Sequence, residues 1–287
     1  MELEKYLQKH YTKKTAKAYR REIEIYLANN PNAKKYTYAE IVNYIGALRK
    51  RYTNSRTITR ILASIKAYYS YLCFKGIRKD NPTKSIILRD QQNRDIQLQD
   101  LFSTEELEKL LTAKQERFNK LDYRNKVLIS LLIYQALKPT EIELLQVDEI
   151  NLDEANIYIK PSVKNNSRTL PLKANQILSF KKYLEEIRPK LLQENETKAF
   201  IIGQRKEPMT GEDITKHIKR NYKIFLPRNV NCSTIRQSVI TNLLKQNNDL
   251  RIVQSFAGHK YPSTTERYKQ SNVEALQTAL QIYHPIK

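Results

Sequence analysis

The sequence predicts a mainly α protein in two parts: a basic helical N-terminal domain, then a mostly helical domain carrying a small antiparallel β-sheet. Apolar residues recur at helical spacing through most of the 287 residues, and an alternating stretch near the middle breaks that pattern. Positive charge is concentrated at the front, where the first ninety residues hold twenty Lys and Arg against seven Asp and Glu. That is +13 of the chain's +21, so the other 197 residues supply only +8. At 40% hydrophobic residues, the chain has the composition of a globular protein.

TKKTAKAYRREIEIYLAN reads as a helix with Thr12 as N-cap and apolar residues at Ala16, Tyr19, Ile23, Tyr26 and Leu27. YTYAEIVNYIGALRKRY is a second helix, opened by Thr37. SRTITRILASIKAYYSYLCFKG carries Ile58, Ile61, Leu62, Ile65, Tyr69 and Leu72 on one face and closes at Gly76. Pro82 then breaks the pattern, and the polar segment RDQQNRDIQLQD reads as a linker. The expected boundaries are residues 1–88 for the first domain, 89–102 for the linker and 103–287 for the second domain.

The second domain opens with FSTEELEKLL, capped at Ser103 or Thr104 with Glu105 or Glu106 in the first turn. RNKVLISLLIYQAL is apolar nearly all round, as expected of a buried central helix, and Pro139 and Thr140 start the next one. ANIYIKPSV and SRTLPL alternate about a turn at VKNN, a hairpin pattern. NQILSFKKYLEEIRPKLL and the segments from Thr210 onward return to helical spacing.

A charge of +21 calls for a polyanionic partner, and nucleic acid is the first candidate, with double-stranded DNA the partner expected. Lys13 and Lys17 on the first helix, and Arg56 and Arg60 on the third, stand four apart, a spacing that can follow a phosphate backbone. No apolar run is long enough to span a membrane, so no membrane role is expected. Four scattered histidines and two unlike cysteines, Cys73 and Cys232, give no metal site, and the absence of phosphate-loop motifs argues against nucleotide-driven chemistry. The cysteine usage suits a reducing compartment, and the location expected is cytoplasmic, bacterial-type and nucleoid-associated.

In this order, the basic helical front ending in NPT, LLIYQALKPTEIELLQV, IKPSVKNNSRTLPL, STIRQSVITNLL and FAGHKYPSTTERYKQ resemble the tyrosine recombinase, or phage integrase, family over nearly the whole chain. The resemblance implies a core-binding domain followed by a catalytic domain. It implies a site-specific DNA recombinase, of the kind carried by mobile genetic elements for integration, excision or inversion. Such enzymes cut and rejoin strands through a 3′-phosphotyrosine intermediate without a cofactor. Tyr268, nine residues after the Gly258–His259 pair, matches the nucleophile. His259 matches the residue that donates to the phosphate, and Arg236 the arginine that grips two of its oxygens. Lys164 matches the lysine that protonates the leaving oxygen, one position off the common pattern, with Lys160 as the alternative.

Two positions depart from the family. Lys138 stands where an arginine is usual, beside the customary carboxylate Glu141, and Ser233 stands where a histidine or lysine is usual. Lysine keeps the charge without the bidentate fork, and serine is a poor base at neutral pH. A DNA-binding factor on the same fold, with weakened or lost strand exchange, is therefore the alternative function. The resemblance also implies a homotetramer on two DNA sites. There the apolar stripe Val273, Leu276, Ala279, Leu280 and Tyr283 would dock on the neighbouring subunit.

Overall fold

The computed structural model describes residues 2–90, 100–113, 118–222 and 228–269, which fall into two compact units, residues 1–94 and 95–287. The core of linker expected at RDQQNRDIQLQD and the C-terminal stripe from Val273 lie outside the described residues.

The front unit is built from α1 (Glu2–His10), α2 (Lys13–Asn29), α3 (Tyr38–Arg51) and α4 (Ser55–Phe74). Thr12 caps α2 by accepting from the Thr15 amide, while the Glu40 carboxylate accepts from the Thr37 amide at the start of α3. Gly76, at φ +68°, follows the end of α4 in the left-handed conformation that glycine adopts without strain. Leu7, Ile23, Ile41 and Ile65 form the centre of the core, joined by two whole tyrosines. Tyr69 donates to the Ala33 carbonyl at 2.7 Å, which leaves Tyr26 to donate to Tyr69 at 2.9 Å. Both rings can be buried because both hydroxyls are satisfied. The helix α1, which the sequence reading did not assign, closes this core with Leu7.

The back unit is organised around α6 (Asn119–Tyr134), whose Val127, Leu128, Ile129, Leu131 and Leu132 are fully buried. In front of it lies α5 (Thr104–Lys109), where Ser103 is the cap and Glu106 its reciprocal partner. The predicted central helix extended through Gln135, Ala136 and Leu137, but α6 stops at Tyr134 and Ala136 adopts φ +50°. The break frees the Ala136 carbonyl from the helical ladder, and an arginine uses it, as described below. α7 (Pro139–Leu144) starts with proline in its first turn, where no amide partner is needed.

β1 (Ile150–Asn151), β2 (Asn156–Ile159) and β3 (Arg168–Pro171) pair antiparallel in chain order, with Ile157 opposite Leu170 and Ile159 opposite Arg168. The two longer strands are the predicted hairpin, and β1 adds a short edge. A strand alternates its faces, so burying Leu170 also buries Arg168. α8 (Ala174–Lys182) continues through a π-helical turn, Tyr183–Ile187, into α9 (Arg188–Leu192). Pro189 lacks an amide and its ring crowds the preceding turn, which is where the ladder widens. α10 (Gly211–Asn221), α11 (Cys232–Lys245), α12 (Leu250–Ala257) and α13 (Pro262–Glu266) complete the described part of the unit.

Candidate active site

α7, the β2–β3 turn, α11, and the segment from α12 through α13 converge on an open cleft of about 820 Å³ in the back unit. Lys138, Lys164, Ser233, Arg236, His259 and Tyr268 all line it. These six come from segments up to 130 residues apart, and each was picked out from the sequence. Lys160, the alternative to Lys164, turns to Glu149 at 2.7 Å and Gln146 at 3.1 Å, and lines a separate recess.

Asn231 caps α11 by accepting from the amides of Ser233 and Thr234, which fixes the start of the helix carrying Arg236 one turn later. The Arg236 guanidinium is buried and donates to two carbonyls at chain breaks, Ala136 O after α6 and Ala257 O at the end of α12. Its Nη2 also meets His259 Nε2 at 3.2 Å. Arginine can only donate, so this imidazole nitrogen accepts, and the ring proton resides on Nδ1, donating to Thr265 Oγ1 at 2.9 Å. Burial, followed by the positive charge of Arg236, pushes His259 down to about 3, so the ring is neutral at pH 7.

Gly258 ends α12 at φ +66°, and its amide closes the turn on Ser255. The reversal sets His259 against Arg236 and leads through Pro262 into α13. Tyr268 follows one turn after Thr265, with its amide bonded to the Thr265 carbonyl at 3.0 Å. Its ring stacks on His259 at 6.0 Å between centroids and 19° between planes, and rests on Ile240, Val253 and Ala257. Burial raises the phenol above its ordinary value, opposed by Arg236 and Arg267.

Lys138 precedes α7. Its amide donates to Glu141 Oε2 at 2.8 Å, and its Nζ donates to Asn165 Oδ1 at 2.7 Å. Burial, then Arg236, pushes the amine down to about 8. Glu141 makes only a long ion pair with Arg236, Oε2 to Nη1 at 4.0 Å, and Lys138 Nζ bonds to Asn165. Both its oxygens are instead taken by Arg168, Nη1 to Oε1 and Nη2 to Oε2, each at 3.0 Å. Burial works against ionising Glu141, yet the Arg168 fork holds its carboxyl below the usual carboxylate range. Lys164 and Ser233 stand exposed at the mouth of the cleft, with Ser233's amide held by Asn231.

The sequence reading did not single out Arg168, Asn165 or Thr265. The signal for Arg168 was a charge in an inward position of an alternating strand, where a buried acidic partner is required. In the front unit, Lys13, Lys17, Arg56 and Arg60 are exposed on α2 and α4, and Arg60 also pairs with Glu22 at 2.8 Å. No group of three or more potential metal ligands occurs among the described residues, and no described helix is long and apolar enough to cross a membrane.

Residues 101–275 match the Phage integrase family, and residues 2–76 match the phage integrase N-terminal SAM-like domain. The tyrosine recombinase XerD of Staphylococcus saprophyticus is 26% identical over 287 aligned residues, covering 97% of this chain and 95% of its own. XerD of Oceanobacillus iheyensis is 27% identical over 254 residues, covering 88% of this chain and 83% of its own. Among solved structures, the XerH site-specific recombinase bound to palindromic difH substrate shares the fold at TM-score 0.69 and 20% identity, over 92% of this chain and 77% of that one. With the family match spanning more than half of its length, this chain belongs to the phage integrase family, the tyrosine-type site-specific DNA recombinases.

Proposed function

We propose that this recombinase cuts and rejoins duplex DNA at the cleft, with Tyr268 as nucleophile. The Tyr268 oxygen attacks the phosphorus and forms a 3′-phosphotyrosine bond as the bond to the 5′-oxygen breaks. The phenol loses its proton and the departing 5′-oxygen gains one, so the step is balanced without metal or nucleotide. The phosphotyrosine conserves the bond energy for rejoining.

The observation that carries this reading is the convergence of Tyr268, His259, Arg236 and Lys138 on one cleft. Three contacts occupy three of the five Arg236 N–H groups, leaving two for phosphate oxygens. Such prepaid orientation stabilises the charge that develops on the non-bridging oxygens. A phosphodiester beside Arg236 would offset the positive field that depresses His259 and draw the Arg236 N–H off Nε2, so that this nitrogen could take a proton and donate to the phosphate. Lys164, exposed on the turn, is the assigned proton donor to the leaving oxygen.

The front unit would grip the duplex through Lys13, Lys17, Arg56 and Arg60. XerH and lambda integrase, which are similar in fold, have been solved bound to DNA, which supports that assignment. A homotetramer on two sites, exchange of the C-terminal segment and a cytoplasmic, nucleoid-associated location complete the proposal. The test is a nicked suicide duplex bearing a site selected by binding to this protein, read on a denaturing gel. A covalent protein–DNA band that disappears in Tyr268→Phe is the expected result. Tight binding without a band in the wild type would make the chain a binding factor, and a band persisting in Tyr268→Phe would move the nucleophile elsewhere.

A further inference from the structure

Arg168 joins three segments that build the cleft. From β3 it forks onto Glu141 of α7 at 3.0 Å through both nitrogens. Its guanidinium also lies against the backbone of Gly258, where a Cβ would stand 2.4 Å from Nη1. Through Glu141 it reaches Asn165 of the turn, whose Nδ2 donates to Oε1 at 3.1 Å and whose Oδ1 receives Lys138 Nζ. The side chains of Arg168 and Glu141 are only 3% and 7% exposed, so little solvent screens the pair.

We propose that Arg168 is a positioning residue that cancels the charge of Glu141, so that Lys138 and Arg236 meet the DNA phosphate with their own charges uncancelled. Among the described residues, the charges that act most on Lys138 are the carboxylate of Glu141 and the cations Arg236 of α11, Arg168 of β3 and Lys164 of the turn. His259, also beside this cluster, is neutral. Without Arg168 the carboxylate would be free to pair with Lys138 Nζ or to close the 4.0 Å gap to Arg236. A carboxylate facing the phosphate would then oppose the charge building on its oxygens. The arrangement also accounts for the lysine at position 138: a guanidinium already saturates Glu141 from β3, and the lysine is oriented by Asn165 instead.

The inference rests on reading the cleft as the phosphate site, so its test has one readout independent of cleavage. The full chain is labelled with ¹³C at lysine Cε, and Lys138 is assigned by its loss in Lys138→Arg. Its titration should move up by at least about one pH unit in Arg168→Met, and down in Glu141→Gln. Arg168→Lys, which keeps the charge but not the fork, should fall between wild type and Arg168→Met. An unmoved Lys138 titration in both Arg168→Met and Glu141→Gln overturns the proposal.

The second readout is single-turnover cleavage of the suicide duplex. Arg168→Met should slow cleavage at least ~30-fold while duplex affinity stays within about threefold. Adding Glu141→Gln to Arg168→Met should recover at least ~10-fold, because the unmasked carboxylate is gone. A packing role alone would give the loss without recovery, and would leave the Lys138 titration in place. If Arg168→Met does not fold, Glu141→Gln alone decides through the downward Lys138 shift. A moved titration with no covalent product in the wild type would sink the Tyr268 assignment and leave the role of Arg168 standing.

Discussion

Replacing Gly258 with alanine should cost the back unit more stability than Gly76→Ala costs the front unit. Gly76 and Gly258 have nearly the same backbone, φ +68° and +66°, but different surroundings. An added Cβ at Gly76 meets nothing within 4 Å, whereas at Gly258 it stands 2.4 Å from Arg168 Nη1 and 3.0 Å from Cζ. The left-handed conformation costs an alanine about 1–2 kcal/mol, offset by roughly 0.4–1 kcal/mol from a less flexible unfolded chain. Gly76→Ala should therefore lose about 1 kcal/mol.

Gly258→Ala bears the same strain and must also displace a buried guanidinium that is held on both Glu141 oxygens. Weakening a buried ion pair costs up to about 3–5 kcal/mol, so the total should reach about 3 kcal/mol or more. For a unit of this size that lowers the melting temperature by about 6–12 °C. Calorimetry is the assay, with each variant scored against the wild-type transition that it moves, because the two units need not unfold together. Equal losses for Gly76→Ala and Gly258→Ala would refute the claim that Arg168 is held rigidly against this backbone.

The depressed His259 gives the back unit a pH dependence whose sign is fixed. Between about 3 and the ordinary value of 6.5 the unfolded chain binds the proton that the folded ring refuses. Stability should thus be full above 6.5 and decline as pH falls through that window, by an amount on the order of a few kcal/mol. Urea midpoints of wild type minus His259→Gln should isolate the slope, and identical slopes would contradict the burial described. Cys232, 5% exposed and pushed up to about 11 by burial, should resist alkylation at pH 8 while Cys73 reacts, as intact-mass analysis would show. Leu132→Ala, at the centre of α6, should cost the back unit about 2–5 kcal/mol in denaturant unfolding, against no effect on the front unit.

The sequence alone determined the local elements, because periodicity, caps and breakers act within a few residues. Thr12, Thr37 and Ser103 opened their helices, Gly76 followed the end of α4, and the alternation around VKNN became β2 and β3. It also picked out Tyr268, His259, Arg236, Lys138, Lys164 and Ser233, since motif order carries that information along the chain. It overran the end of α6, because Gln135–Leu137 has helical composition, while the side chain of Gln135 bonds to Pro171 O and Gln176 across the unit. It placed the customary carboxylate Glu141 beside Lys138 and left its main partner unnamed. Tertiary structure supplied that partner. Strand register turned Arg168 inward from a separate segment, and a buried cation must find its carboxylate wherever the fold brings one. The bare surface of Gly258 let it come close enough, and no rule confined to neighbouring residues could have paired the three.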